Sequence, residues 1–140
     1  GNIVIRDSTA ENVDRFLHYN FSGNEPWQRN RPLSSLVFDR VRATGVRLPL
    51  TAYGSEEQPL SLTLRDVSVE FAENARAPFM HLAYWDAVRM TRVRIRGVKA
   101  PVLIKAWSDG RSVELADCDL GGYAGETFAR TDEPFVCTPI

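Results

Sequence analysis

Residues 88–107 read VRMTRVRIRGVKAPVLIKAW, and the apolar skeleton of this stretch is Val88, Met90, Val93 and Ile95. The same four-residue pattern occurs five times in the chain. Its third position falls at residues 8, 41, 67, 93 and 118, so the successive repeats are 33, 26, 26 and 25 residues apart. A repeated apolar register with a period in the twenties indicates a stacked solenoid. The other four sets are Ile3, Ile5, Ser8 and Ala10; Leu36, Phe38, Val41 and Ala43; Leu62, Leu64, Val67 and Val69; and Val113, Leu115, Cys118 and Leu120.

Within each set the apolar residues are spaced by two, then three, then two positions. Spacing by two is the period of a β-strand, whose side chains leave opposite faces in alternation. The step of three breaks this alternation, so we expect the strand to stop at a two-residue bend there. A helical repeat would show a period near 3.6 residues instead. We therefore predict an all-β fold, a right-handed, single-stranded parallel β-helix of about five coils.

A column of alternating charge accompanies the predicted bend. Its members are Asp7, Arg40, Asp66, Arg92 and Asp117. Because coils of a β-helix stack in parallel about 4.8 Å apart, this order places opposite charges side by side at every step. We interpret the column as a device that sets the register of the coils.

Each coil also has a candidate third strand. The candidates are residues 15–21, 47–53, 78–84 and 101–107, and aligned on one another they end in an aromatic column of Phe21, Tyr53, Tyr84 and Trp107. Stacked aromatic rings between coils would bury a large apolar area. A role in stacking on sugars remains the alternative, and it requires that the same rings are exposed.

The end of the chain departs from the repeat. After Leu120 the glycines at 121, 122 and 125 and the prolines at 134 and 139 interrupt strand continuation. We therefore assign residues 1–120 to the coils and residues 121–140 to an irregular C-terminal cap of the same domain. Cys118 occupies an otherwise mostly apolar position, so we expect a buried free thiol, with a disulfide to Cys137 as the alternative.

Composition limits the classes of function. The 140 residues are 44% hydrophobic and 25% charged, with a formal net charge of −1. This balance lacks the basic excess of a nucleic-acid-binding surface, and no apolar run is long enough to cross a membrane. We therefore expect neither nucleic acid nor membrane as a partner.

Few side chains have a pattern typical of catalysis. His18 and His81 hold the same place in strands two coils apart, about 10 Å from each other, and no metal-ligand spacing surrounds them. Asp86 and Asp109 follow each other in successive short connections, so a carboxylate pair and ordinary turn residues are both open interpretations. Serine-nucleophile, Walker and dinucleotide motifs are absent. We predict no metal and no cofactor.

The segments NIVIRDSTAENV, LVFDRVRATGV and LTLRDVSVEF resemble the C-terminal coils of glycoside hydrolase family 28, the polygalacturonase-like enzymes of the pectin-lyase-like β-helix superfamily. The resemblance extends to about Leu120. It implies a β-helix from a protein that hydrolyses pectic polysaccharide with inversion, outside the cytoplasm. The Asn-Thr-Asp, Asp-Asp, Gly-His-Gly and Arg-Ile-Lys motifs of the family are not intact here. Ile104–Lys105 matches the end of the last motif, but Leu103 replaces its arginine, so we predict no catalytic residue.

The resemblance also implies a set of substrate-contact residues. FLHYNF matches the coil after the catalytic ones, which makes Tyr19 a candidate; the alternative is that Tyr19 packs under its own loop. Trp27, Arg29 and Arg31 lie in the long connection that follows, and Lys105 retains the family's lysine. Arginine suits a galacturonate carboxylate because its planar fork binds both oxygens.

Two functions follow as expectations. The first is the non-catalytic C-terminal portion of a pectinase-like hydrolase, which stabilises the helix and forms one wall of the carbohydrate cleft. The second is a stand-alone β-helix that binds carbohydrate or serves as a structural module. In both, the expected ligand is a pectic or other acidic polysaccharide. The first coil would pair either with preceding coils of a longer parent chain or with a second copy in an end-to-end homodimer.

Overall fold

The computed structural model describes residues 2–15, 17–20, 34–55, 57–107 and 110–131, and the structural statements below concern these residues. They form a parallel β-solenoid, as the repeat predicts, and no helix long and apolar enough to span a membrane occurs among them. The strands are β1 (Asn2–Glu11), β2 (His18–Asn20), β3 (Ser35–Val46), β4 (Leu50–Tyr53), β5 (Leu60–Phe71), β6 (Met80–Ala83), β7 (Trp85–Thr91), β8 (Arg94–Arg96), β9 (Val102–Trp107), β10 (Ser112–Ala116) and β11 (Glu126–Thr131).

The strands stack into two parallel sheets. The first sheet has the order β1-β3-β5-β7-β10, with β8 beside β5, and the second has the order β11-β9-β6-β4-β2. In sequence the chain visits the two sheets alternately, so that each coil contributes one strand, or a pair of shorter ones, to each sheet. Four full turns lead from β1 to β10, and β11 adds a further strand to the second sheet.

The register of the first sheet confirms the predicted apolar columns. Leu36 lies opposite Ile3 on one side and Leu62 on the other, and Phe38 lies likewise between Ile5 and Leu64. The same columns continue through β7 and β10. Members from the three middle coils are almost completely buried, because each is covered by a coil above and a coil below.

The corner in the first sheet is tighter than predicted. Instead of stopping at a two-residue bend, β1, β3 and β5 continue through it, and one residue per coil adopts a left-handed conformation. In the fourth coil the strand is interrupted between β7 and β8, and in the fifth coil β10 ends at Ala116, directly before the corner. The left-handed residues are Asp7, Arg40, Asp66, Arg92 and Asp117, with φ between +49° and +55°. A single residue in this conformation shifts the alternation of side chains by one, which keeps the apolar residues on both sides of the corner facing inward.

The same five residues form the predicted column of alternating charge. The guanidinium of Arg40 donates to both carboxylate oxygens of Asp7, at 2.5 and 3.2 Å, and Arg92 does the same to Asp66 at 2.6 and 3.1 Å. These hydrogen bonds hold the pKa of the Asp7 and Asp66 carboxyls below its usual value. The pairs are exposed, so their main effect is on register rather than on stability.

The two ends of the solenoid are less well covered than its middle. In the first coil Ile3 and Val4 are 44% and 45% exposed, and Ile5 is half-buried. The predicted dimer would use this coil, and it stays a prediction. In the last coil Cys118 is half-buried and is a free thiol, whose sulfur lies 3.4 Å from the backbone carbonyl of Met90. Cys137 lies outside the described residues.

The aromatic column predicted for the second sheet is wrong at Tyr84. The register places Ala83, not Tyr84, between Tyr53 and Trp107. Strand β6 ends at Ala83, and Tyr84 then takes a φ of +50°, which turns the chain toward β7. Its ring still contacts Trp107 edge to face, with the centroids 5.1 Å apart. Phe21 lies outside the described residues.

The assigned C-terminal cap is only partly irregular. Gly121 and Gly122 form a turn after the fifth corner, as their composition predicts. Residues 126–131, however, form β11, which pairs in parallel with β9 and so continues the solenoid. The intervening turn is attached to the preceding coil because the hydroxyl of Tyr123 donates to the carbonyl of Ala100 at 2.7 Å.

We expect Gly54→Ala to destabilise the fold by about 3 kcal/mol, because a Cβ at this position would overlap the backbone carbonyl of Tyr84 and approach the backbone nitrogen of Leu60 at 2.9 Å. The control is Gly122→Ala. A Cβ there meets nothing within 4 Å, so only its left-handed conformation is penalised, by about 1 kcal/mol. Urea unfolding of both variants measures the difference; equal losses would show that the close approach at Gly54 is relieved at no cost.

Candidate functional site

The outer side of the second sheet carries a polar column next to the apolar core. Leu50, Met80 and Ile104 share one register position and are buried. Because side chains alternate along a strand, the following residues Thr51, His81 and Lys105 face the other side of the sheet. The backbone register extends this column, here called the Lys105 column, to His18 in β2 and Ala129 in β11.

One cation lies on the Lys105 column, and a second one lies beside it. Arg15 approaches it from the first coil, where Nη1 donates to Oγ1 of the buried Thr51 at 3.5 Å. Lys105 and His81 are neighbours in adjacent strands, and both are half-buried. Burial, followed by the charges of Lys105 and Arg15, lowers the pKa of His81 to about 4. At neutral pH the imidazole is therefore uncharged, and the two cations flank it.

An aromatic pair adjoins the column at its cationic end. Trp107 lies two residues after Lys105 on β9, hence on the same side of the sheet, and is half-buried. Its ring packs against the edge of Tyr84, which is also half-buried. A cation beside partly exposed aromatic rings can bind an anionic group and the apolar surface next to it at the same time.

The structure describes two of the predicted substrate contacts and does not bring them together. Lys105 and Tyr19 lie in the same sheet, three strands apart, which is about 14 Å at the usual strand spacing. Tyr19 pairs with Ala52, in a register column whose members Ala52, Leu82 and Ala106 are buried. The predicted role of Tyr19 stays a prediction. Trp27, Arg29 and Arg31 lie outside the described residues.

The predicted relation between the two histidines is confirmed at the level of register. Thr51 stands between His18 and His81, so that one full strand separates them. Within the described part of the chain, no three histidine, cysteine or acidic residues come close enough to hold a metal ion.

Carboxylates are scarce near the Lys105 column. Strands β2, β4, β6 and β9 contain no Asp or Glu, and β11 contains only Glu126, at its first position. Asp86 lies instead in β7 of the first sheet, where Arg111 Nη2 contacts its Oδ2 at 3.1 Å and Ser61 donates to the same oxygen at 3.5 Å. Asp109, its predicted companion, lies outside the described residues.

Arg15 and Thr51 were not recognised as site residues from the sequence. Relative to the two histidines, the predicted alignment of the third strands is displaced by one residue in the second and fourth coils, so that it places Leu50 and Ile104 beside them in place of Thr51 and Lys105. The alternation of Leu50 and Ala52 as core residues, read alone, would have marked Thr51 as outward-facing. Arg15 has no comparable signal, because its contact depends on the path between β1 and β2.

Comparison with protein-family models, curated proteins and solved structures finds no match to this chain.

The low pKa of His81 predicts a specific pH dependence of stability. Between pH 6.5 and about 4 the unfolded chain binds a proton at His81 that the folded chain does not, so the free energy of unfolding falls as the pH falls through this window. His81→Gln removes this contribution. We expect the wild type to lose about 1–2 kcal/mol more than the variant between pH 7 and pH 4, after allowance for solvent screening.

Chemical denaturation at a series of pH values measures this difference. Carboxylates titrate in the same range, but they do so in both proteins, so the difference between the two isolates His81. Parallel curves for wild type and His81→Gln would contradict the prediction.

Proposed function

We propose that this chain is the non-catalytic β-helix portion of a pectinase-like glycoside hydrolase, and that the outer side of its second sheet binds an acidic polysaccharide. The observation that carries the proposal is the Lys105 column: cations and aromatic rings meet there on strands almost free of carboxylates. A uronate residue offers the complementary groups, a carboxylate for Lys105 and an apolar sugar face for the aromatic pair.

The electrostatics of the column favour an anionic ligand over a neutral sugar. Lys105 and Arg15 both lower the pKa of His81, which means that their fields overlap at this position. A carboxylate placed between them would be attracted by both cations. It would also raise the proton affinity of His81, so that binding should strengthen as the pH is lowered.

The positions of the described carboxylates favour binding of the polysaccharide without hydrolysis. Inverting hydrolysis requires an acid and a base about 6.5–9.5 Å apart across the glycosidic bond. No such pair flanks the Lys105 column among the described residues, and Asp86 is engaged by Arg111 on the other sheet. We therefore assign to the chain a contribution to affinity rather than to bond cleavage.

A stand-alone structural module is the second candidate, and the ion pairs between coils favour it. Among the described residues, seven ion pairs join neighbouring coils, and each consists of an arginine and a carboxylate on strands or turns that stack directly. Such pairs fix the stacking of coils without requiring any ligand. The two candidates differ in one measurable property, the affinity for polyuronate.

We expect the protein to bind polygalacturonate and Lys105→Gln to weaken that binding by about three- to tenfold, because one charge-assisted contact is lost. The matched control is Lys99→Gln, which removes the only other lysine, an exposed one that contacts the carbonyl of Glu73. Affinity electrophoresis in gels containing polygalacturonate, or its fully methyl-esterified form, measures both the affinity and its dependence on the carboxylate. Absence of binding, or equal losses in the two variants, would favour the structural module.

We also expect no release of reducing ends from polygalacturonate, since no acid and base suited to inversion flank the Lys105 column among the described residues. A reducing-sugar assay over a range of pH tests this. Activity that disappears in Asp86→Asn would show that the carboxylate bound to Arg111 is a catalytic group.

A further inference from the structure

A groove on the first sheet lies away from the Lys105 column and has no role in the function proposed above. It encloses about 640 Å³ along the strand segments that follow the left-handed corner. Three stacked residues form its floor: Arg42 of β3, Ser68 of β5 and Arg94 of β8, which are directly opposite one another in register. Their strand neighbours Val41, Val67 and Val93 are buried, so the three side chains point out of the sheet.

Arg42 and Arg94 differ from the other arginines around the groove. Arg92 is held by both oxygens of Asp66, and Arg96 contacts Asp119 at 2.8 Å. Among the described residues, no carboxylate lies within ion-pair distance of Arg42 or Arg94, and both side chains are exposed. Of the three acidic residues of the groove, Asp66 and Asp119 are paired with Arg92 and Arg96, whereas Asp117 makes no ion pair among the described residues. Arg94 lies opposite Asp119 in register but, like Arg42, is not ion-paired with a carboxylate there.

The spacing of the open guanidinium groups matches a single shared ligand. Arg42 and Arg94 are two coils apart, about 10 Å between backbones, which two extended arginine side chains can close from opposite sides. Ser68 lies midway between them, is half-buried, and makes no hydrogen bond through its hydroxyl within the described part of the chain. Two guanidinium forks and one hydroxyl donor can therefore reach one ligand above Ser68.

A ligand that accepts hydrogen bonds from three donors in three directions must have oxygens that point in three directions. A carboxylate has two oxygens in one plane, whereas a sulfate or phosphate group has oxygens directed toward the corners of a tetrahedron. We propose that Arg42, Ser68 and Arg94 form a binding site for a tetrahedral oxyanion, the sulfate or phosphate group of a larger molecule. Each guanidinium binds one or two oxygens and the serine hydroxyl donates to another. The volume of the groove exceeds that of a free ion and leaves space for the molecule that carries the group.

The first test is titration with sodium sulfate and with sodium phosphate at pH 7, followed by the backbone amide resonances of the protein. Sodium chloride keeps the ionic strength constant. We expect saturable shifts centred on Arg42, Ser68 and Arg94. Arg42→Gln and Arg94→Gln should each weaken binding about tenfold, because one charge-assisted contact is removed, and Ser68→Ala should weaken it less.

Arg65→Gln is the matched control. Arg65 is an exposed arginine on the same strand as Ser68, opposite Asp39 and outside the groove. It should leave oxyanion binding unchanged, as should Lys105→Gln on the second sheet, so the outcome is independent of the polyuronate proposal. Shifts that do not saturate, or an equal loss in Arg65→Gln and Arg42→Gln, would reduce the effect to general electrostatic attraction and overturn the proposal.

Dextran sulfate, compared with uncharged dextran, distinguishes the source of the group. Binding of dextran sulfate that is lost in Arg42→Gln and is competed by inorganic sulfate assigns the site to a sulfate ester on a polymer. Binding of the inorganic ions alone assigns it to a free or small-molecule oxyanion. Failure of all these probes to bind contradicts the site itself.

Discussion

At the first corner of every coil, one residue with a φ near +50° changes the phase of side-chain alternation between two strand segments. The apolar spacing of two, three and two depends on that change, since a uniformly extended strand would turn one half of each apolar set toward solvent. A left-handed residue other than glycine is unfavourable by about 1 kcal/mol. The stacking of five such residues in one column is therefore maintained by the packing of the core on both sides of the corner.

The alternating charges of the five left-handed residues add a second constraint to that of the backbone. Asp tolerates the left-handed conformation better than most residues, because its short polar side chain can bond locally. Arg has no such preference, yet it alternates with Asp here, and its guanidinium reaches back to the preceding coil at Arg40 and Arg92. The alternation is thus explained by the neighbour in the stack rather than by local conformation. A coil displaced by one position would lose both the pair and the apolar match.

The first sheet was predictable from sequence because its signal is redundant. Four apolar columns and one charge column define the same register, so a misplacement in one would conflict with the others. The second sheet offers fewer constraints: its strands are only three to six residues long, and its β4 is buried at all four positions, which hides the alternation. In the sequence, Tyr84 resembles the last residue of a strand, although it is the left-handed turn residue that follows β6. The displacement by one residue at Tyr84 and Thr51 follows from these features.

The candidate sites were less accessible to sequence analysis than the fold, for a physical reason. Fifteen arginines accompany two lysines in this chain, and their spacing does not reveal which of them are neutralised. Only the stacking of coils distinguishes Arg92, which is bound by Asp66, from Arg94 two residues later. Arg94 lies in register between Ser68 and Asp119, but no carboxylate among the described residues is at ion-pair distance from it. An arginine with a carboxylate at ion-pair distance on the neighbouring coil links the two coils, whereas an arginine without one is available to a ligand.

The same stacking determines what kind of ligand each surface can take. Adjacent coils present their side chains at a fixed interval of about 4.8 Å. Two cations on adjacent coils are therefore closer together than two cations separated by a coil, and each spacing suits an anion of a different size and shape. On the second sheet, Lys105 adjoins His81 in the next coil and aromatic rings on its own strand, an arrangement suited to a planar carboxylate on a sugar. On the first sheet, two arginines flank a serine from opposite sides, an arrangement that matches the proposed ligand with oxygens in three directions. In the two proposals, one repeating backbone offers two anion-binding chemistries, and the residues between the cations distinguish them.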